Sequence, residues 1–414
     1  MSTANVPAKP VAFTAYQKFV VVLLAFLQFT VILDFMVLSP LGAFLLRDLG
    51  LNTRQFGRVV SAYAFSAGIS GLLAAGFADR FDRRKLLLFF YAGFILGTWF
   101  CGMANSYESL LLARMVTGIF GGVIGSISFA IITDLFPFET RGRVMGSVQS
   151  AFAASQVLGL PIGLELATRW GWHSTFRMIV GISLVAGVII VIKLRPITEH
   201  LKLRGDRDPV AHLVHTATKP RYLIGFSATI LLATGGFMLM PFGTTFAVRN
   251  LHIPMNKLSQ IYVITGLVSM IAGPIIGRLS DKFGKYRTFV IGTIVGISIV
   301  VYYTRLGPTT VTMMTLLSAF LFVCISARMI SAGALTSGVP APADRGAYMA
   351  INSSLQQISG GVASALAGII VLESAGEGPL QRYDVLGMVA GLGMLLTIPL
   401  MYNVHRLVTR GPRQ

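Results

Sequence analysis

The chain has 414 residues, of which 54% are hydrophobic and only 12% are charged, whereas a soluble domain carries about 25% charged residues. This composition excludes a soluble globular protein, and two cysteines in apolar stretches exclude a disulfide framework. The net charge of +18 fits either anionic lipid or nucleic acid as a partner, so the positions of the charges must decide between them.

Twelve apolar stretches are long enough to cross a bilayer, which takes about 20 residues in a helix. The first is far longer than the apolar core of a signal peptide, so we predict a retained helix. We number them spans 1 to 12, and they cover 18–46, 55–78, 84–104, 107–135, 142–168, 174–193, 221–248, 257–280, 286–305, 309–336, 344–374 and 383–407.

Lysine and arginine are divided unevenly between the two sides of the predicted membrane. With both termini in the cytoplasm, 23 of the 34 basic residues fall on the cytoplasmic side, nine fall outside, and Arg114 and Arg328 fall within spans. Basic loops stay on the cytoplasmic side of membrane proteins. The charge therefore indicates topology and contact with anionic lipid, not nucleic acid. We predict a multi-pass protein of the cell inner (plasma) membrane with both termini cytoplasmic.

A charged turn occurs twice, about half a chain apart. Residues 75–85 follow span 2 and residues 277–287 follow span 8, so that Asp79 and Asp281 lie 202 positions apart. Other stretches align at similar offsets, namely 34–42 with 236–243, 47–49 with 249–251, and 141–145 with 345–349. A repeat of this length predicts a carrier built from two related halves.

The repeat also predicts the domain boundaries. An N-terminal cytoplasmic segment precedes a first six-helix bundle, and a charged cytoplasmic connector leads to a second bundle and a short cytoplasmic tail. In order, these parts are 1–17, 18–193, 194–220, 221–408 and 409–414.

The charged turns resemble the signature of the major facilitator superfamily, over essentially the entire chain. The second copy fits fully through Gly277, Asp281, Gly284 and Arg287, whereas the first has Ala75 in place of the first glycine. The resemblance implies an all-α integral membrane fold, with twelve transmembrane helices in two pseudo-symmetric six-helix bundles, and it implies transport by alternating access.

Span 5 resembles a narrower branch of this superfamily. Gly159, Pro161 and Gly163 form a looser version of the antiporter motif of proton-coupled drug and sugar exporters, the arabinose-efflux-like branch. Glycine and proline in such a helix permit close contact and bending. Simple helix packing without a coupling role is the alternative interpretation.

Two charges inside the membrane are the strongest indication of a functional site, because an unpaired charge there is costly. Asp34 lies near the middle of span 1, and Arg114 enters span 4 to a matching depth. The repeat aligns Gly236 of the second half with Asp34 of the first half, so the halves differ at this position. We predict that Asp34 and Arg114 carry proton coupling, or else form a purely structural ion pair.

Several other polar and aromatic residues within spans are candidates for the substrate cavity. Arg328 is either a cavity cation or a residue that bonds to carbonyls or extends to the membrane surface. Gln149 and Gln156 are two helical turns apart and are predicted to project together. For all of these residues, ordinary helix packing is the alternative. The candidates are Gln28, Gln149, Gln156, Phe237, Tyr262, Arg328, Asn352 and Gln356.

Charged residues at the cytoplasmic ends of the spans are predicted to form a gate that holds the halves together and breaks when the carrier opens inward. Carboxylates there can bond arginines and the exposed amides at helix N-termini. The alternative is that they only solubilise the turns. The predicted gate comprises Asp79, Arg80, Arg83, Asp134, Arg141, Asp281, Lys282 and Arg345.

These features favour a monomeric secondary transporter that exports a small organic molecule, a drug, sugar or metabolite, in exchange for protons. Proton-coupled uptake or uniport of a sugar, organic acid or other metabolite is the alternative. A receptor or scaffold needs neither the buried charges nor two gates. An enzyme is disfavoured, since no nucleophile, metal cluster or phosphate loop is present, and we expect no cofactor and no metal. No motif identifies the substrate.

Overall fold

The computed structural model describes residues 13–202, 209–341, 344–374 and 378–409. Most of the predicted N-terminal segment, part of the connector and the C-terminal tail after residue 409 lie outside these residues. The first part of the chain forms α1 (Ala15–Asp48), α2 (Thr53–Phe77), α3 (Arg83–Cys101), α4 (Tyr107–Leu135), α5 (Phe138–Ala154), α6 (Leu160–Trp170) and α7 (His173–Lys193).

The connector carries two short helices, and the second part of the chain continues with seven more helices among the described residues. These elements are α8 (Glu199–Lys202), α9 (Pro209–Thr218), α10 (Pro220–Phe237), α11 (Gly243–Arg249), α12 (Met255–Phe283), α13 (Lys285–Tyr303), α14 (Val311–Thr336), α15 (Arg345–Ile370) and α16 (Tyr383–Thr409). Between α15 and α16, strands β1 (Leu372–Glu373) and β2 (Leu380–Gln381) pair antiparallel.

The twelve predicted spans coincide with these helices. Within the described residues, ten helices are long and apolar enough to cross a membrane by length and composition. Spans 7 and 11 are not among the ten. Span 11 is α15, whose middle is rich in serine, asparagine and glutamine (352–359), and span 7 is divided into two helices.

The prediction of span 7 as one continuous helix is wrong. Helix α10 ends at Phe237 and α11 begins at Gly243, and residues 238–242 between them are non-helical. Pro241 lies in this interruption and has no amide hydrogen to donate. Carbonyls freed by such a break need donors from elsewhere, because the bilayer supplies no water. We call residues 238–242 the span 7 interruption.

The carbonyls of the span 7 interruption receive hydrogen bonds from distant helices. The Ser39 hydroxyl of α1 donates to the carbonyl of Met240, and the Tyr383 hydroxyl of α16 donates to the carbonyl of Leu239 over 3.4 Å. The first of these bonds joins the two halves of the molecule.

Span 5 also departs from a regular α-helix. Residues Ser155–Gly159 form a wider π-helical turn between α5 and α6, in which the Leu160 amide donates to the Ser155 carbonyl. Pro161 follows directly and cannot donate to the turn before it. Such turns within α-helices often occur at functional sites.

We call one face of the molecule the basic end, and it carries the turn between α2 and α3 and the turn between α12 and α13. The face on the other side carries β1 and β2, and we call it the opposite end. At the opposite end the halves are in contact. The Thr53 hydroxyl donates to the Val371 carbonyl over 2.8 Å, and the rings of Phe56 and Phe242 lie 5.5 Å apart.

The contact between α2 and α15 at the opposite end is backbone against backbone. A Cβ added to Gly57 would lie 2.9 Å from the Ser364 carbonyl oxygen and 3.0 Å from the Gly368 Cα. Small residues of this kind allow transmembrane helices to approach closely. Leucine at residue 57 would therefore force the helices apart.

Toward the basic end α2 and α15 remain in contact, since a Cβ added to Gly68 would lie 2.9 Å from the Ser354 carbonyl oxygen. Near mid-height, Gly266 of α12 still packs against Val157. Closer to the basic end, Gly146 and Gln149 of α5 are exposed, and so is Asp281 of α12. The halves are thus in contact at the opposite end, and parts of α5 and α12 near the basic end are exposed.

Candidate functional site

Asp34 and Arg114 form an ion pair in the centre of the first half. Arg114 Nη1 lies 2.7 Å from Asp34 Oδ2, and the same nitrogen donates to the main-chain carbonyl of Asp34 over 3.3 Å. Both side chains are 0% exposed. The Thr98 hydroxyl of α3 donates to Asp34 Oδ1 over 3.3 Å. Helices α1, α3 and α4 therefore supply one buried cluster.

Close helix packing brings this cluster together. A Cβ added to Gly97 of α3 would lie 2.7 Å from the Thr117 amide nitrogen, and one added to Gly118 of α4 would lie 2.5 Å from the Tyr63 carbonyl oxygen. The glycines thus draw α3 and α2 against α4. As a result, the Tyr63 ring of α2 covers the Arg114 guanidinium at 4.4 Å, a distance that favours cation–π attraction.

The ion pair stays balanced only while Asp34 is charged. Two further guanidinium nitrogens of Arg114, Nε and Nη2, have no hydrogen-bond partner among the described residues. Removing one charge of a buried pair leaves the other uncompensated, which is strongly destabilising. Protonation of Asp34 would leave Arg114 uncompensated in the same way.

The glutamines predicted for the cavity do not share one environment. Gln28 is buried, with Nε2 close to Gly125. Gln156 is buried, and its Oε1 has no partner among the described residues, whereas Gln149 is exposed. Gln149 and Gln156 therefore differ in burial, because Gln156 lies in the packed π-helical turn, and their projection into one cavity stays a prediction.

In the second half, the two predicted cavity residues Asn352 and Gln356 lie near one another on α15, beside α10. The Thr229 hydroxyl donates to Asn352 Oδ1 over 2.6 Å. Asn352 and Gln356 line a small cavity between α10, α14 and α15, together with Thr336. Uncharged amide and hydroxyl groups supply the polar part of this cavity.

The aromatic candidates lie close to the span 7 interruption. The Phe237 ring meets Phe35 of the first half at 6.1 Å in an edge-to-face arrangement. The Tyr262 hydroxyl of α12 lies 2.8 Å from the Thr244 hydroxyl of α11. These contacts connect the interruption to α1 on one side and to α12 on the other.

Arg328 is buried within the second half. Its guanidinium lies 6.0 Å from the centre of the Phe289 ring, and its Nε and Nη2 have no hydrogen-bond partner among the described residues. The side chain therefore points toward α13 and does not line the cavity beside Asn352 described above.

The predicted gate residues are dispersed at the basic end. Arg83 Nε lies 3.0 Å from Asp134 Oδ2, and Arg141 donates to the Phe136 and Thr133 carbonyls at the end of α4. These contacts lie within the first half. The other gate residues Arg80, Asp281, Lys282 and Arg345 are exposed, and the side chain of Asp79 lies outside the described residues.

The glycines of the span 5 motif pack within the first half. A Cβ added to Gly159 would lie 2.5 Å from Leu33 Cδ1, and one added to Gly163 would lie 2.8 Å from the Thr175 methyl group. The Pro161 carbonyl accepts a 3.5 Å hydrogen bond from Ser259 of α12. The motif thus positions span 5 between α1 and the second half.

A charged cluster at the basic end was not predicted from the sequence. Asp344, just before α15, accepts hydrogen bonds from Lys219 Nζ at 2.6 Å and from the Tyr222 hydroxyl at 2.7 Å. The Tyr222 hydroxyl in turn accepts from the Ala341 amide. The bond from Lys219, followed by the bond from Tyr222, lowers the pKa of the Asp344 carboxyl. The cluster joins the start of α10 to the start of α15.

We expect Asp344→Asn to lower the melting temperature by a few degrees at neutral pH, because it removes a charged acceptor of two hydrogen bonds. The lowered pKa means that the carboxylate stabilises the fold above its usual titration range and loses this effect as the pH falls through the lowered value. The difference from wild type should therefore shrink in acid. Thermal unfolding against pH measures it, with exposed Asp384→Asn as control. A difference that persists unchanged in acid would contradict this role.

Comparisons with known proteins place the chain among membrane transporters. The family model described as Major Facilitator Superfamily matches residues 24–226 and again residues 225–413. "Uncharacterized MFS-type transporter YceJ" of Bacillus subtilis is 29% identical over 268 residues, which cover 64% of this chain and 67% of that protein. "Probable sugar efflux transporter" of Mannheimia succiniciproducens is 24% identical over 224 residues, 54% of this chain and 55% of that protein.

Among solved structures, a partially occluded inward open conformation of the xylose transporter XylE from E. coli covers 94% of this chain and 98% of that chain, with a TM-score of 0.73 and 15% sequence identity. At this identity the likeness is one of fold. This solved structure therefore has the same all-α fold as the chain.

Proposed function

Because the chain belongs to the Major Facilitator Superfamily of membrane transporters, we propose that it is a proton-coupled exporter of a small organic molecule. It is a transporter and not an enzyme, and it takes a small-molecule substrate across a membrane. The proposal adds the direction of transport, the coupled ion and the residues that couple them.

The observation that carries the proposal is the buried Asp34–Arg114 pair. It lies wholly inside the first half, and Gly236 stands at the matching place in the second half, where an added Cβ would meet no atom within 4 Å. A buried carboxylate with one cationic partner is typical of a proton relay in transporters. A scaffold that needed only packing would have no reason to place a charge pair in one repeat.

The proposed cycle uses two access states. In this proposal the basic end faces the cytoplasm, in line with the distribution of basic loops, and the contacts at the opposite end close the transporter toward the outside. A substrate enters from the cytoplasm between the bundles, 18–193 and 221–408. Asp34 binds a proton more tightly while the opposite end is open, because proton binding and opening favour each other. A proton is therefore taken up from outside and released inside when the ion pair forms again.

The gate residues at the basic end belong to the outward-open state. In the described conformation Asp281, Lys282 and Arg345 are exposed to solvent. Approach of the two halves at this end brings these charges within reach of the first half. The transporter works as a monomer in the cell membrane, since each chain contains both halves of the cavity.

Transport by purified protein in liposomes tests the proposal. An imposed pH gradient, with two probes of different chemistry, radiolabelled arabinose and ethidium, should drive accumulation of one probe against the direction of proton flow. Protein-free liposomes are the control. Accumulation in the same direction as proton flow would instead establish a symporter. Accumulation that ignores the pH gradient would contradict proton coupling.

A further inference from the structure

One short segment of α1 contacts both the ion pair and the other half of the molecule. Asp34 binds Arg114, and the next residue, Phe35, packs against Tyr63 at 5.4 Å and against Phe237 at 6.1 Å. About one helical turn further on, Ser39 donates to the Met240 carbonyl. We call residues 34–39 the α1 coupling segment.

Both contacts of the coupling segment with the second half fall at the span 7 interruption. Phe237 is the last residue of α10, and Met240 lies within the interruption itself. Because this stretch lacks regular helical hydrogen bonds, its conformation depends on partners from other helices. Displacing Phe35 and Ser39 therefore removes supports of the point at which span 7 can bend.

Among the described residues, the hydrogen bonds and ring contacts of the ion pair lie within the first half. The Tyr63 ring covers the guanidinium, and Phe35 packs on Tyr63 from the side of Phe237. The charge state of Asp34 is therefore transmitted through its neighbours on α1. Arg114 contributes to this link because one of its nitrogens binds both the carboxylate and the main-chain carbonyl of Asp34.

Building on the proposed coupling through Asp34, we propose that Phe35 is a positioning residue that, with Ser39, links the charge of Asp34 to the closure of the opposite end. While Asp34 is charged, Arg114 holds the α1 backbone in place, and Phe35 and Ser39 support the span 7 interruption. When a proton binds Asp34, the hold of Arg114 weakens and the segment shifts. The supports are then lost, and the opposite end opens.

Two measurements on the same protein separate proton binding from opening. Spin labels at Glu108 of the first half and Lys257 of the second half report opening of the opposite end, where both residues are exposed. The labels are introduced in a protein whose buried Cys101 and Cys324 are replaced by alanine. Infrared difference spectra, wild type minus Asp34→Asn, report protonation of the Asp34 carboxyl. Both are followed as the pH is lowered.

In wild type, the infrared signal and the spin-label distance should change together. In Phe35→Ala the infrared signal should remain, while the response of the closed-to-open ratio to pH falls about tenfold. Phe35→Leu, which keeps apolar volume, should retain part of the response. Phe237→Ala should reduce the response to pH as much as Phe35→Ala does. The double variant should reduce it no further, because the two rings act as one contact. The control is Phe26→Ala, a partly buried phenylalanine of α1 that stacks on Phe29 of the same helix.

The outcomes distinguish this inference from the proposed function. If Phe35→Ala and Phe35→Leu both follow pH like wild type, Phe35 does not transmit the signal, although Asp34 still binds the proton. If the infrared signal disappears in Phe35→Ala as well, Phe35 shapes the ion pair and does not link it to closure. If wild type shows no infrared signal from Asp34, proton coupling through Asp34 fails and this inference fails with it.

Discussion

Asp34→Asn is expected to abolish transport against a gradient and to leave exchange of substrate down its gradient intact. Asparagine keeps the size of the side chain and an oxygen that accepts from Thr98, but it does not take up or release a proton. The transporter is then fixed in its uncharged form. Loss of proton-driven accumulation should reach about 100-fold or more, since the gradient no longer biases the two access states.

The same substitution leaves Arg114 buried without a counter-charge, which costs about 3–5 kcal/mol. A matched double variant, Asp34→Asn with Arg114→Met, removes both charges and should recover most of the lost thermal stability without restoring uphill transport. Proteoliposome accumulation and thermal unfolding of the single and double variants measure the two effects separately. Recovery of uphill transport in the double variant would assign the pair to structure alone.

Gly57→Leu is expected to prevent closure of the opposite end. Even the first added carbon would meet the backbone of α15 at about 3 Å, so α2 and α15 must move apart at this point. Because the contact lies between the halves, each bundle should still fold. Transport should be lost, and the transporter should accumulate in its outward-open state.

Distances between spin labels measure this shift at both ends of the molecule. The pair at Glu108 and Lys257 should lengthen in Gly57→Leu, and a pair at Lys85 and Lys285, exposed at the basic end, should shorten. The control is Gly346→Leu on α15, since a Cβ at Gly346 would meet no atom within 4 Å. Unchanged distances at both ends would show that this contact does not govern access.

The sequence was sufficient to predict the fold, because hydropathy and the repeat act over long stretches. Eleven of the twelve spans lie in single or π-interrupted helices among the described residues, span 7 forms two helices, and the family model matches the chain twice. The interruption of span 7 was not predicted, although Pro241 and its neighbouring glycines were visible. A proline in an apolar run predicts either a kink or a break, and only packing against Ser39 and Tyr383 decides between them.

For the candidate site, the pairing of distant charged residues was easier to predict than the surroundings of uncharged side chains. The cost of a charge in the membrane predicts that Asp34 and Arg114 meet, and the structure places them in contact. Thr98 and Phe35 carried no such signal, because hydroxyl and aromatic side chains are common in membrane helices. Periodicity placed Gln149 and Gln156 on one face, but Gln156 is buried in the π-helical turn and Gln149 is exposed.

The most direct test of the central claim is proton release when substrate binds the purified protein in detergent. Arabinose or ethidium, whichever raises the melting temperature of the protein, is added to weakly buffered samples of wild type and Asp34→Asn with a pH-sensitive dye. If Asp34 carries the coupled proton, wild type releases protons as the probe binds, and Asp34→Asn binds the probe without releasing them. Equal proton release from both proteins would contradict coupling through Asp34.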